Sequence, residues 1–241
     1  GEGYFRAFDE YLEANGNPIE VLFQTPAEEI LMDGGRAVGA RGVCADGTTY
    51  LVSAAKAVVI ATGGFSGSAE LLKEHDDGWG FASMDVIPTT NNFGHTGDGV
   101  VMGLAAGATF MDNVPNIMCL PFVNAVDFSV ESMVGNTGNA LMLNKEGKRF
   151  VNETLGRNEI AHAQIDETSP ITTAPFYAFP CHWGVHITCG GLNYNHENYA
   201  LTDKDGKDIP GLFGVGEVIP TTGGIMTMGN GLVVADVLAG A

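Results

Sequence analysis

Arg157 is the residue of this chain most conspicuous by its isolation. It sits in the stretch NETLGRNE and is the sole lysine or arginine between Arg149 and Lys204. A lone guanidinium can fix an anionic group, or it can be a surface cation beside Glu153 or Glu159, which is worth little. Glu217 follows Gly216 in PGLFGVGE, where a carboxylate either accepts hydrogen bonds from a ligand or is a solvated loop acid. His182 and His186 are four apart in HWGVHIT. That stretch reads as extended and no third ligand accompanies the pair, so no metal site is expected. Three glycine-rich turns complete the set: Ala61-Thr62-Gly63-Gly64, Thr96-Gly97-Asp98-Gly99 and Asn230-Gly231-Leu232. Glycine there lets main chain lie against a flat or anionic ligand where a side chain would collide. The cysteines, Cys44, Cys119, Cys181 and Cys189, lack CxxC spacing and read as small buried apolar residues.

These turns need elements to hold them. Phe5, Phe8 and Leu12 have helical spacing and Asn15-Gly16 is a stop signal, which predicts a first helix. IEVLFQT (19–25) reads as a buried strand. The run AVGARGVCADGTTYLVSA reads as a hairpin about Asp46-Gly47. KAVVIAT reads as a central strand covered on both faces, delivering Thr62-Gly63-Gly64 at its end. A helix follows with Ser68 as N-cap, and another follows the turn at Thr96–Gly99. From about 116 to 180 helix signals are weak, and GNALMLNKEGKRFVNE reads as a hairpin about Glu146-Gly147. From His186 the glycine-rich style returns, ending in a short helix at LVVADVLAG. The fold class expected is α/β.

The whole chain bounds what this can serve. Its 241 residues are 45% hydrophobic and 17% charged, a composition for a real core rather than disorder. The formal charge of −18 opposes phosphate backbones and anionic lipid, so neither nucleic acid nor a membrane is an expected partner. Glycine contributes 34 residues without a collagen period, consistent with repeated tight turns.

In order, the chain holds TPAEEIL, AVVIATGGF, TGDGVVMGLAAGA, NKEGKRFVNE, HITCGGL, IPGLFGVGEV and MGNGLVVADVLAG. That series resembles the flavoprotein subunits of the fumarate reductase and succinate dehydrogenase superfamily, with the flavocytochrome c fumarate reductases, urocanate reductase and 3-ketosteroid dehydrogenases among its relatives. The resemblance implies a partial, Rossmann-like FAD-binding domain (1–115 and 184–241) with an inserted, shortened α+β capping unit (116–183). It implies FAD as cofactor. Thr25, Pro26 and Ala27 would lie by the adenine, Ala61 to Gly64 along the dinucleotide, and Thr96, Gly97, Asp98 and Gly99 by the isoalloxazine. Glu217, after Gly216, would hydrogen-bond the ribityl or neighbouring hydroxyls. Asn230, Gly231 and Leu232 would open the last helix toward the flavin N1/O2 edge, where its dipole would favour negative charge.

The activity implied is hydride transfer between flavin N5 and a carbon–carbon bond. Arg157 stands where the family places its proton donor, with His186, Tyr177 or Tyr194 as further candidates. Departures from the family narrow the substrate. The His-Pro-Thr before the cap is replaced by MCLPFV, and Ile187 rather than His186 directly precedes Thr188-Cys189-Gly190-Gly191. The carboxylate-binding Asn-Arg pair becomes Met226-Thr227-Met228. Strand alternation would turn His186 away from the family position. With no lysine or arginine between Lys73 and Lys145 or after Lys207, an uncharged or singly charged small molecule is expected rather than fumarate. Absence of a haem CxxCH motif implies a separate electron donor. Absence of the GxGxxG finger implies a missing N-terminal segment or chain, and leaves a non-catalytic fragment or interaction module as the alternative.

Overall fold

The computed structural model describes residues 2–16, 18–91, 94–111, 116–124, 141–144, 146–166, 181–221 and 225–240. Helix α1 (Glu2–Ala14) forms as its spacing predicts and stops before Gly16, at φ +77°. Its apolar face has no cover among the described residues, and Phe5 and Phe8 are exposed. IEVLFQT is not a strand. Its residues acquire no ladder, and Ile19, Val21 and Phe23 are exposed; apolar composition alone cannot make a strand without an edge to pair with.

Strands β1 (Ala27–Asp33), β2 (Arg36–Val43) and β3 (Thr49–Ser53) form an antiparallel meander. The β2–β3 turn uses Gly47 at φ +86°, with Asp46 Oδ1 accepting from the Thr48 amide at 2.8 Å. This is the expected hairpin.

The second sheet positions the turns. Strand β4 (Val58–Ile60) lies parallel to a later strand, pairing Val58 with Leu212, Val59 with Phe213 and Ile60 with Gly214. The sheet order places β4 at an edge, and Val59 is exposed, so among the described residues β4 is not the doubly covered central strand its sequence suggests. Helix α2 (Ala69–Glu74) is capped by Ser68, whose Oγ accepts from the Leu71 amide at 3.3 Å. Helix α3 (Asp98–Ala105) starts directly after Gly97, at φ +79°.

Strand β5 (Ile117–Asn124), helix α4 (Arg157–Asp166) and strand β6 (Cys181–Thr188) follow, with β5 and β6 antiparallel. Helix α4 is not evident in the sequence because its apolar residues, Ile160, Ala161, Ala163 and Ile165, make no regular stripe. Before it, the expected hairpin turns at Gly147 (φ +74°), with Asn144 N donating to Lys148 O at 2.8 Å. Strands β7 (Ala200–Thr202) and β8 (Asp208–Gly214) complete the β4 sheet in the order β4-β8-β7. The last helix, α5, runs Ile225–Gly240 and begins well before LVVADVLAG.

One cluster of buried residues joins these parts. It contains Ile60, Phe65, Leu72, Val100, Ile117, Ala161, Val185 and Leu212. Each large side chain so buried contributes roughly 1.5–3 kcal/mol relative to exposure, so the turn carrying Phe65 is anchored by the core it caps. A smaller cluster of Met142 and Ile160, with Phe150 and Val151 against it, seats the hairpin on α4. Trp79 stacks on His162 of α4 at 3.8 Å between ring centroids and 5° between planes, and its indole N–H donates to Ile117 O at 3.2 Å.

Candidate functional site

The parallel pair β4–β8 sends two loops out of one end of the sheet. Ile60 is buried, while the next two residues, Ala61 and Thr62, are exposed. Beside them, Val215 N donates to Ile60 O at 3.0 Å before the chain turns through Gly216 at φ +75° into a 3₁₀ turn, Gly216–Val218. Ligands of open α/β sheets bind outside the carboxyl ends of such strands.

Three separated motifs close on one another here. Thr188, at the end of β6, donates from its amide to Glu217 Oε1 at 2.8 Å and from its hydroxyl to the same oxygen at 2.9 Å. The Thr188 hydroxyl accepts from the Phe65 amide at 3.2 Å. A Cβ at Gly64 would collide with Thr188 Oγ1 and Glu217 Oε1. A Cβ at Gly99 would collide with Thr62 Oγ1, and one at Gly97 with Leu71. Gly67 N donates to His95 O at 2.8 Å, and the His95 ring lies 3.7 Å from the position of a Cβ on Gly63. The physical reason for glycine at 64, 97 and 99 is therefore internal: these turns are packed onto each other. Gly216 and Gly231, by contrast, have no atom of the described residues within 4 Å of an added Cβ. Among the described residues Glu217 Oε2 takes no hydrogen bond, so one oxygen holds the junction and the other is available.

Thr96 Oγ1 donates to Asp98 Oδ1 at 2.8 Å, which holds the start of α3. Thr25, Pro26 and Ala27 are placed by the meander: Val43 N donates to Pro26 O at 3.2 Å, and Thr25 Oγ1 lies 3.0 Å from Cys44 Sγ. The strand they lead into, β1, packs beside α3. Asn230, Gly231 and Leu232 do not open the last helix. They are its sixth to eighth residues, Asn230 is buried, and Leu232 is 70% exposed. The free amides of α5 belong to the turn beginning at Ile225, so the dipole expected at 230 acts from there instead.

A second group gathers around β6. In the β5–β6 register Met118 pairs with Ile187 and Cys119 with Val185, leaving His186 as an extra, bulged residue. A bulge interrupts alternation and re-aims a side chain. The expected turning away of His186 by strand alternation therefore does not apply. His186 Nδ1 lies 2.7 Å from Thr90 Oγ1, and Asn91 Nδ2 donates to His186 O at 2.6 Å. Burial lowers the His186 pKa; the Arg157 charge lowers it further, against an opposing effect of Glu217. Burial also raises the Cys189 thiol, with Glu217 and Asp77 adding to it.

Arg157 is exposed at the first position of α4. Neither neighbouring acid claims it: Arg149 occupies Glu153, with Nη2 2.5 Å from Oε2, and Arg157 makes no ion pair among the described residues. Tyr177 lies outside the described residues. Tyr194 stacks on Tyr199 at 5.2 Å and edges against His196, and burial raises its pKa. Sequence reading did not single out Thr90, Asn91, His95 or Thr188; a lone polar residue beside a glycine turn carries no spacing signal.

Fold and site together define a mixed α/β scaffold whose glycine turns meet at the carboxyl ends of parallel strands. The family model described as FAD binding domain matches residues 1–172 and 155–232, and the chain belongs to that family. FAD is its cofactor. Against the NADH:acrylate oxidoreductase of Vibrio harveyi the chain is 25% identical over 88% of its own length and 28% of the relative's. Against the urocanate reductase of Eggerthella lenta it is 30% identical over 90% of its length and 33% of the relative's. The open conformation of a flavocytochrome c3 fumarate reductase superposes with a TM-score of 0.70 at 21% identity, covering 95% of this chain and 52% of that one. The chain thus spans about a third of these curated relatives and half of that structure. It has the FAD-binding fold of the fumarate reductase family.

The residues present fit the cofactor. Glu217 keeps a free acceptor for a hydroxyl, and Gly216 leaves open space beside exposed Ala61 and Thr62 at the strand ends.

Proposed function

We propose that the chain forms the cofactor wall and the substrate cover of an oxidoreductase acting on the carbon–carbon double bond of an uncharged or singly charged organic substrate. Residues 1–115 and 184–241 are the cofactor-binding parts and 116–183 the cover. Bound FAD supplies the hydride at N5. Thr25 to Ala27 take the adenine side, Ala61 to Gly64 the dinucleotide, Thr96 to Gly99 the ring, Gly216 and Glu217 the hydroxyls, and Asn230 to Leu232 the flank of α5.

The single observation that carries the reading is the cation at the start of α4. Arg157 is exposed and makes no ion pair among the described residues, while Thr188 and Glu217 tie the end of β6 to the first glycine turn. Reduction adds a hydride to one alkene carbon and a proton to the other, and the proton must come from a group within hydrogen-bond reach. Arg157 is that donor in this reading, with His186 orienting the substrate and Tyr177 as the reserve. The named substrates of the Vibrio and Eggerthella relatives, acrylate and urocanate, each carry one carboxylate beside a C=C bond. With one lysine or arginine between Arg149 and Lys204, the chain takes one anionic group out of water more readily than two. Electrons come from a separate donor, as the name of the NADH-linked relative suggests.

The test is to saturate the purified chain with FAD, reduce it, and follow flavin reoxidation by acrylate, urocanate and fumarate. The singly charged acceptors should reoxidise it faster than fumarate. Arg157→Ala should lower that rate by about a hundredfold or more, the scale of a lost general acid, with FAD uptake unchanged. Failure to take up FAD, or an unaltered rate in Arg157→Ala, would refute the assignment.

A further inference from the structure

Thr188 is fully buried where β6 ends, and it bonds to both loops that leave the β4–β8 strand ends. Its hydroxyl accepts from the Phe65 amide at 3.2 Å and donates to Glu217 Oε1 at 2.9 Å, and its own amide donates to that oxygen at 2.8 Å. The direction of this relay is fixed by its ends. An amide N–H only donates and an ionised carboxylate only accepts, so the hydroxyl proton has one place to go. Two donors fill the lone pairs of Oε1, while Oε2 takes none among the described residues. The carboxylate is also located: its carbon lies 2.9 Å from where a Cβ on Gly64 would stand, directly against the first glycine turn.

Resting on the placement of Glu217 proposed above, we infer that Thr188 is a positioning residue for the cofactor, holding Glu217 in one orientation so that Oε2 accepts a hydroxyl of FAD. A glutamate on a loop would otherwise rotate about its side-chain bonds and lose that freedom when the cofactor binds. Held by two bonds to one oxygen, it is set before FAD arrives, which strengthens binding without adding a contact. The relay also fixes the chemistry of the partner. With Oε2 as an acceptor alone, the group that meets it must donate, which a ribityl or ribose hydroxyl does and an ionised phosphate oxygen does not. Threonine suits the place because its hydroxyl serves two loops from a buried strand end, where valine would fill the same volume and serve neither.

The experiment is equilibrium FAD binding to the full chain, followed by flavin fluorescence. Thr188→Val should raise Kd about tenfold, the scale of one hydrogen bond, and Thr188→Ser should restore the parent value. Glu217→Ala should raise Kd at least as far, and adding Thr188→Val to it should change nothing more. That non-additivity marks a residue acting through Glu217; lost packing alone would add. With riboflavin and ADP-ribose as competitors, the one whose inhibition constant rises in Thr188→Val carries the hydroxyl. The parent chain gives a second arm that needs no variant: FAD should slow hydrogen exchange at the Thr188 amide. An FAD Kd unmoved by Thr188→Val, additive effects in the double variant, both competitors unaffected, or exchange at Thr188 unaltered by FAD would each overturn the inference and leave the placement of Glu217 standing. An FAD Kd unmoved by Glu217→Ala, or no uptake of FAD by the parent, would refute that placement and the inference with it.

Discussion

Glycine at 64 does its work by leaving room for a threonine and a glutamate. Because a Cβ there would collide with Thr188 Oγ1 and Glu217 Oε1, Gly64→Ala must push β6 and the 216–218 turn off the first glycine turn. Overpacking of this kind costs about 1–3 kcal/mol. Gly231 is in a helix interior with no described residue within 4 Å of an added Cβ, so Gly231→Ala should leave stability unchanged or raise it by up to about 1 kcal/mol. Urea unfolding of the cofactor-free protein separates the two; equal midpoints would show that the junction at Thr188 is slack. The glycine motifs were legible in the sequence as turns, but the reason for each glycine was not. Spacing shows that a side chain is excluded and does not show what excludes it.

Among the elements, the hairpin ahead of α4 is held by one carboxylate. Glu153 accepts from Met142 N at 2.7 Å and from Arg149 Nε at 2.9 Å, and is itself buried. The Arg149 hydrogen bonds, then the Met142 amide, bring its pKa from the ordinary 4.5 down to about 2. A depressed carboxylate stabilises the fold fully above its unfolded value, and that contribution drains away as pH falls from about 4.5 through about 2. Acid unfolding of the parent protein should steepen across that window, and Glu153→Gln should flatten it; parallel curves would argue against the ion pair. Elements with strong local signals, namely α1, the Asp46-Gly47 hairpin, the Ser68 cap and β6, were legible because their signals are local. Helix α4, the early start of α5 and the bulge at His186 were not. An irregular apolar pattern hides a helix, and a bulge is a property of two strands together. The segment 19–25 shows the converse, an apolar run whose partner edge decides whether it is a strand.

For the molecule as a whole, the acidic surface sets how a charged substrate arrives. A formal charge of −18 repels an anion approaching from bulk, and salt screens that repulsion over a Debye length of about 10 Å at 0.1 M. With acrylate as acceptor, the second-order rate of flavin reoxidation should rise between low salt and about 0.15 M, whereas with acrylamide it should stay flat. A rate for acrylate that falls with salt would mean that Arg157 dominates the approach from afar and not only on contact. The same inventory of charge was readable from the sequence, since counting cations needs no coordinates, while the pairing that leaves Arg157 available needed them.

The two tryptophans of the chain, Trp79 and Trp183, are both buried and both stack with one ring, Phe81, at 6.3 and 5.9 Å between centroids. Trp79 also carries His162 of α4 on its face. Every indole photon the protein emits therefore originates in the wall against which α4 rests. Ultraviolet-excited emission is an intrinsic gauge of how firmly that helix, and Arg157 at its head, is seated, with no label to introduce.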